Sequence, residues 1–430
     1  MDLKQLIADE LDGVRKRSFG LLAPVDDKDL IKQHSPIMSP LVWDLAHVGN
    51  YEEIWLLRMV AGVPASDPEL DDIYDAFKHA RKERTKLRLL GPHESRSYIT
   101  DVRGQVFDVL DRTEFDPSNP LLAEGFVYGM VVQHEHQHDE TMLATLQLRS
   151  GAEYPVKQRA LPRAPVDVGQ QVYVEGGPFQ MGTDLEPWAY DNERPQHTVD
   201  LPPFYIDTAP VTNRAYMDFM LAGGYFDRRF WTPEGWEWRA KESAESPLFW
   251  SKQAGGQWAR LRYGRVEPIV DAEPVEHVSW HEANAYAHWA GKRLPTEAEW
   301  EKAASWDPAT KSKKRFPWGD DAPTEETANV GGVRFRPTPI GTFPGGVSPV
   351  GCHQMIGDVW EWTSTAFEPY PGFNSFPYRE YSEVFYGRGY KVLRGGSWAT
   401  HPTAIRNTFR NWDFPIRRQI FCGFRCARDA

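Results

Sequence analysis

LAEGFVYGMVVQHEHQHDETMLATLQL, residues 122–148, decides how the first part of the chain folds. Val127, Val131, His134, His138 and Met142 recur in it at helical spacing, so one face of a helix carries all five. His134 and His138 are four residues apart and leave that face one turn apart. The face is otherwise apolar, which turns both rings toward the interior. Two neutral imidazoles side by side in a core are costly unless each finds a partner, and one shared metal ion satisfies both. Taken alone, the pair favours plainer explanations: hydrogen-bonded core histidines, or a solvated HEHQHDE run. His136 falls on the opposite side and is not an expected ligand.

A second helical segment, SPLVWDLAHVGNYEEIWLLRMV at 39–60, shifts the balance. Ser39 is its expected N-cap and Pro40 its first helical residue. His47 lies mid-helix on an apolar face, with Trp43 one turn before it. Metal sites in helical bundles are built from side chains on facing helices, so His47, His134 and His138 form a candidate metal centre. Amphipathic segments near 2–21 and 98–112 complete an up-and-down four-helix bundle, with 65–95 as a long, partly helical connection. Three neutral ligands leave the full charge of a dipositive ion uncompensated and several positions open. Zinc and iron both accept such a set, and an anionic thiolate is a natural incoming ligand. Asp44, Glu135, Asp139 and Glu140 lie near the ligands in sequence and are candidates to orient their second nitrogens.

The expected organisation is α+β: a helical domain over 1–150, a linker over 151–170 rich in Pro, Arg and Gln, and a domain over 171–430. In the last, short apolar runs alternate with Gly, Pro, Asn and Asp, which predicts short strands and long loops pinned by tryptophan. Its best helical candidate, HEANAYAHWAGKRLPTEAEWEKAA at 281–304, must be split by Pro295. A net charge of −12 and no basic stripe argue against nucleic acid as a partner. No run approaches the ~18 apolar residues that span a bilayer, and the charged amphipathic N-terminus lacks the features of a secretory signal. Only Cys352, Cys422 and Cys426 occur, which suits a reducing cytoplasm.

Longer motifs add a resemblance. DLAHVGNYEE with HEHQHDETM resembles DinB-like bundles. The second half carries GGPFQMGTD, DNERPQHTV, PVTNRAYMDF, PVEHVSW, AYAHWAGKRLPTEAEWEKAA, FPWGD, GDVWEWT, VLRGGSW and RNWDFPIRRQIFCGFRCAR. That ordered series is similar to the formylglycine-generating-enzyme family, whose fold resembles C-type lectins. The two halves in this order resemble the sulfoxide synthases of ergothioneine biosynthesis over nearly the whole chain. The resemblance implies an Fe(2+) enzyme that uses dioxygen to join the sulfur of γ-glutamylcysteine to the imidazole of hercynine (Nα-trimethylhistidine). The implied product is γ-glutamyl-hercynylcysteine sulfoxide.

By the same resemblance, His47, His134 and His138 match the iron ligands, and Gln137 matches a residue near the substrate imidazole. Tyr378 and Tyr381 match a tyrosine pair, the first being the catalytic phenol that supplies a proton. Spacing alone would make both tyrosines loop-packing aromatics. Arg81 and Arg84 match a pair that holds the carboxylates of γ-glutamylcysteine, a task suited to the planar guanidinium fork. Asn411 and Trp412 match positions contacting hercynine, and Asp413 matches the partner of the γ-glutamyl amino group. One departure is clear. Formylglycine-generating enzymes act through a copper-binding cysteine pair, yet TAIRNTFR before RNWD has no cysteine, so Cys422 and Cys426 are expected to be buried small hydrophobes. Cysteine or a selenium compound as donor, a zinc-dependent thiol transferase, and a lectin-like binding protein with a vestigial bundle are the rival expectations.

Overall fold

Helix α1 (Leu3–Leu22), α2 (Asp27–Ile31), α3 (Leu41–Glu52), α4 (Glu69–Ile73), α5 (Pro92–Arg112) and α6 (Phe126–Leu148) follow one another in the first part of the computed structural model. The structure describes residues 2–156 and 159–430. Helices α1, α3, α5 and α6 pack on one another as a bundle, and α3 runs on into a π-helical segment, Glu53–Met59. At Gly49 a Cβ would stand 2.4 Å from the Ile99 side chain, so glycine is what lets α3 approach α5 so closely. The connection over 65–95 contains α4 and a 3₁₀ segment, Arg81–Lys86.

Two helix starts differ from expectation. Pro40 is extended, not helical, and α3 begins at Leu41; the Ser39 hydroxyl does not cap it but accepts a 2.6 Å bond from Arg84 Nη1. Helix α6 begins at Phe126 rather than 122, because Glu124 and Gly125 take positive φ of 52° and 70°. A Cβ on Gly125 would meet Ile7 Cδ1 at 2.6 Å, so the turn lies hard against α1.

Each long helix of the bundle contributes one buried charge to a closed ring. Arg15 of α1 bonds Glu52 of α3 (2.6 Å) and Glu135 of α6 (2.8 Å). Arg103 of α5 bonds the same two carboxylates, at 2.5 and 3.0 Å. Burial alone would push the Glu135 carboxyl up, but Arg15 and Arg103 outweigh it and hold it down near about 2. With Glu135 in this ring and Asp139 bonded to Arg17 and Ser18, α6 can be buried around most of its surface despite its charges.

The chain divides into two units, Met1–Pro155 and Val156–Ala430. The stretch expected as a linker is tied down where it is described. Tyr154 donates to Leu21 O at 2.9 Å, Val166 N donates to Gly341 O at 3.0 Å, and Arg163 pairs with Glu326 at 2.5 Å. Lys157 and Gln158, within that stretch, lie outside the described residues.

The second unit is built from short strands. One sheet runs in the order Asn411–Asp413, Lys391–Arg394, Trp360–Ala366, Cys422–Gly423; another pairs Phe204–Asp207 with both Gln171–Val174 and Ala427–Asp429. The latter joins the first and last strands of the unit. The helical candidate breaks at Pro295 as expected, into Trp280–Trp289 and Glu297–Ser305. Asn213–Leu221 and Pro233–Glu242 are further helices that the sequence pattern did not reveal, being short and interrupted by aromatics. Trp300, Trp362 and Trp398 are buried, the Arg394 guanidinium lies 5.3 Å over the Trp300 ring, and three buried arginines each meet a buried carboxylate: Arg394 with Glu301 (2.6 Å), Arg410 with Glu297 (2.7 Å), Arg425 with Glu361 (2.7 Å). Such pairs hold irregular segments in one arrangement where strand ladders are too short to do so. Cys352, Cys422 and Cys426 are free and buried, and burial pushes the Cys352 thiol up to about 11. Among the described residues no helix is long and apolar enough to cross a membrane.

Candidate metal centre and the tyrosine loop

Helices α3 and α6 bring the three sequence-predicted histidines together. One ligand atom from each of His47, His134 and His138 lies within 4.8 Å of the others, and the ring centroids are 4.6–5.1 Å apart. His47 and His134 are buried and His138 is partly so. His47 Nδ1 donates to the Tyr74 carbonyl at 2.7 Å, and His138 Nδ1 donates to Asp44 Oδ1 at 3.0 Å. Those two bonds fix the tautomers and leave each Nε2 as a lone-pair donor. His134 Nδ1 is buried without a hydrogen-bond partner among the described residues. Burial first, and the neighbouring imidazoles second, hold the His47 and His134 rings well below the usual histidine range, so both are neutral at physiological pH. Three convergent imidazoles, one with an orphaned buried nitrogen, are what a divalent metal would satisfy.

Aromatic rings fix the ligand planes. Trp43 stacks on His47 with centroids 4.5 Å apart, and Tyr51 stacks on His134 at 3.7 Å, each within 14° of parallel. Of the four carboxylates near the candidate ligands in sequence, Asp44 bonds His138, while Glu135 and Asp139 belong to the buried charge network.

The two arginines differ in placement. Arg84 is buried, its guanidinium 3.5 Å over the Trp43 ring and bonded to Ser39 Oγ, Ala76 O and His79 O. Burial pushes it down to about 10. Arg81 is exposed, with Nη1 donating to Ile37 O at 2.9 Å. Gln137 is half-buried, next to His138 on α6.

In the second unit, Tyr378 and Tyr381 meet edge to face at 6.2 Å, and Tyr381 meets Trp412 the same way at 5.9 Å. Trp412 stacks on Phe367 at 4.1 Å, and Tyr190 stacks on Tyr381 at 3.9 Å. Asn411–Asp413 form an edge strand paired with Lys391–Leu393, and Asp413 Oδ1 lies 3.6 Å from Arg417. The unit therefore gathers Tyr378, Tyr381 and Trp412 into one aromatic run, with Asn411 and Asp413 flanking it on the strand.

The bundle and the second unit each match a known family. Residues 10–142 match the DinB superfamily, and 157–430 match the sulfatase-modifying factor enzyme 1-like domain. A protein of Mycolicibacterium thermoresistibile named hercynine oxygenase is 50% identical over 98% of this chain and 94% of its own length. The chain belongs to the hercynine oxygenase family. A hercynine oxygenase of Mycobacterium tuberculosis is 48% identical over the full length of both chains. The formylglycine-generating enzyme of Streptomyces coelicolor is 35% identical but is matched over only 60% of this chain. Family membership makes the chain an oxygenase and bears out the expected architecture, a DinB-type bundle followed by a formylglycine-generating-enzyme-like domain. The Tyr51 ring stacked on His134 and the Tyr74 carbonyl bonded to His47 were not legible from the sequence. The one sequence signal for Tyr51 is its position a helical turn after His47.

Proposed function

We propose that this chain is an iron(II)- and dioxygen-dependent sulfoxide synthase of ergothioneine biosynthesis, joining γ-glutamylcysteine to hercynine. The observation that carries this reading is the three-imidazole cluster of His47, His134 and His138, two of whose tautomers are set by outer hydrogen bonds. Those three rings would hold iron(II), which would supply the activation of dioxygen. The balance is simple: the thiol S–H and an imidazole C–H of hercynine are lost, a C–S bond forms, one oxygen atom goes to sulfur, and the other leaves as water.

The chain's own residues account for the rest. A ligand set without a carboxylate favours an anionic thiolate over a neutral donor. Exposed Arg81 offers its guanidinium to a substrate carboxylate, and Asp413 offers its carboxylate to the γ-glutamyl amine. Arg84, being buried, serves this purpose by supporting Trp43 and the segment that carries Arg81. Gln137, Asn411 and Trp412 orient hercynine, and Tyr381 lines its site. Tyr378 delivers a proton from its phenol. With Tyr378 replaced, oxygen is diverted to the thiol alone, both atoms ending on sulfur as a sulfinate.

The test is anaerobic reconstitution with iron(II), then oxygen and hercynine with γ-glutamylcysteine or cysteine, the products identified by mass. Sulfoxide from γ-glutamylcysteine supports the reading, and preference for cysteine reassigns the donor. The same three-imidazole set also suits zinc. A purified protein that retains zinc, consumes no oxygen and transfers a thiol would replace the proposal.

A further inference from the structure

The loop carrying both tyrosines is closed at its base by one carboxylate. Asp191 is buried, and its two oxygens go to opposite ends of the loop: Oδ2 accepts from Phe376 N at 3.2 Å, and Oδ1 accepts from Ser382 Oγ at 2.5 Å. Between those anchors lie Pro377, Tyr378, Arg379, Glu380 and Tyr381. The residue before the carboxylate acts on the same loop, since the Tyr190 ring stacks on Tyr381.

The turn that presents Asp191 is itself fixed. Glu193 Oε2 accepts from Arg406 Nε at 2.8 Å and from Thr408 Oγ1 at 2.7 Å, and Asn192 O accepts from Arg410 Nη1 at 2.9 Å. Arg406, Thr408 and Arg410 lead directly into Asn411–Asp413. The turn thus ties the tyrosine loop to the segment that precedes Trp412.

We propose that Asp191 is a positioning residue for the reaction, clamping both ends of the 377–381 loop so that Tyr378 is held in one place. A short loop of partly exposed residues has many conformations, and two anchors from one buried group remove most of them. Within the loop, Arg379 pairs with Glu383 on an exposed surface, where an ion pair contributes little. The clamp's role in catalysis rests on the reading of Tyr378 as the proton donor.

Three variants test it: Asp191→Ala removes both anchors, Asp191→Asn keeps an acceptor oxygen for only one, and Ser382→Ala removes one from the loop side. The primary readout is the ratio of sulfoxide to thiol sulfinate at saturating substrates, with Tyr378→Phe setting the scale. We expect Asp191→Ala to move the ratio toward sulfinate by about tenfold or more, as a displaced catalytic group does, with the other two variants intermediate. The spectroscopic signature of the ferrous nitrosyl adduct should stay that of the wild type, because no metal ligand is touched. Hydrogen exchange over 376–386 judges the clamp without reference to catalysis: it should quicken in Asp191→Ala and in Ser382→Ala, but not in Tyr378→Phe. Should Asp191→Ala fail to fold, the other two variants carry the test. Unchanged exchange overturns the clamp. Quickened exchange with a wild-type product ratio, while Tyr378→Phe shifts that ratio, overturns its role in the reaction. A wild-type ratio in Tyr378→Phe itself overturns the reading of the phenol and the catalytic role of the clamp with it, leaving the exchange result to decide the clamp alone.

Discussion

Asp44 reaches from α3 to α6 and accepts the Nδ1 proton of His138 over 3.0 Å, so the helix that supplies one candidate ligand also aims another. Both elements are therefore needed to make one orientation of the His138 ring. Carboxylates placed in this way raise the basicity of the imidazole and hold its plane, and losing one typically weakens metal binding by about 10–100-fold. Asp44→Asn keeps the size and an acceptor oxygen but removes the charge. We expect it to weaken iron(II) or cobalt(II) binding by a factor in that range, read by competition with a chelator. Unaltered affinity would mean that the bond plays no part in holding the metal.

The buried ring of Arg15, Glu52, Arg103 and Glu135 predicts a stability effect of definite sign. Arg103→Met removes one cation and leaves two buried carboxylates facing a single arginine. Breaking a buried ion pair from one side costs about 3–5 kcal/mol, because the remaining charge is left uncompensated. Urea unfolding of the bundle, followed by helical circular dichroism, should show a loss of that order. A change under about 0.5 kcal/mol, the scale of an ordinary surface substitution, would show that the ring is not a structural element of the bundle.

Proton uptake by the metal-free centre follows from the depressed His47 and His134 rings. In the unfolded chain each titrates near the ordinary value of about 6.5, whereas in the fold each stays neutral through that range. Below about pH 6.5 the unfolded state therefore binds more protons, and each ring withdraws up to about 1.4 kcal/mol of stability per pH unit as the pH falls. Site-resolved proton NMR of the metal-free protein should show no titration of either ring between pH 8 and pH 6.5. A midpoint near 6.5 for either one would contradict its burial against the other imidazoles.

Thiol chemistry separates a scaffold from a cysteine-based catalyst. Burial raises all three thiols above their ordinary value, Cys352 to about 11, and leaves little thiolate at neutral pH. Iodoacetamide at pH 8 should leave the native protein unmodified and label three cysteines once it is denatured, counted by intact mass. Rapid native labelling of Cys422 or Cys426 would reopen a role for them in chemistry.

Much of the candidate metal centre was legible from local pattern. The i, i+4 relation of His134 and His138 fixes their common face in any helix, and an apolar face must turn inward. His47 was found by the same reasoning on a second helix, and Pro295 marked a break between helices that the fold keeps. The helix starts at 41 and 126 were missed because each depends on a partner elsewhere: Arg84 takes the Ser39 hydroxyl, and Gly125 turns against Ile7.

Periodicity thus sufficed for which residues share a helix face, because that relation is set within a turn or two of backbone. It carried no information on which distant groups would pair. Asp44 rather than Glu135 or Asp139 orients a candidate ligand, Arg84 lies buried against the Trp43 ring while Arg81 stays exposed, and Asp191 spans the ends of a loop almost two hundred residues further along the chain. Each of these pairings was decided by packing. A buried charge must find its partner among whatever groups the fold brings within reach, and no local spacing encodes that choice.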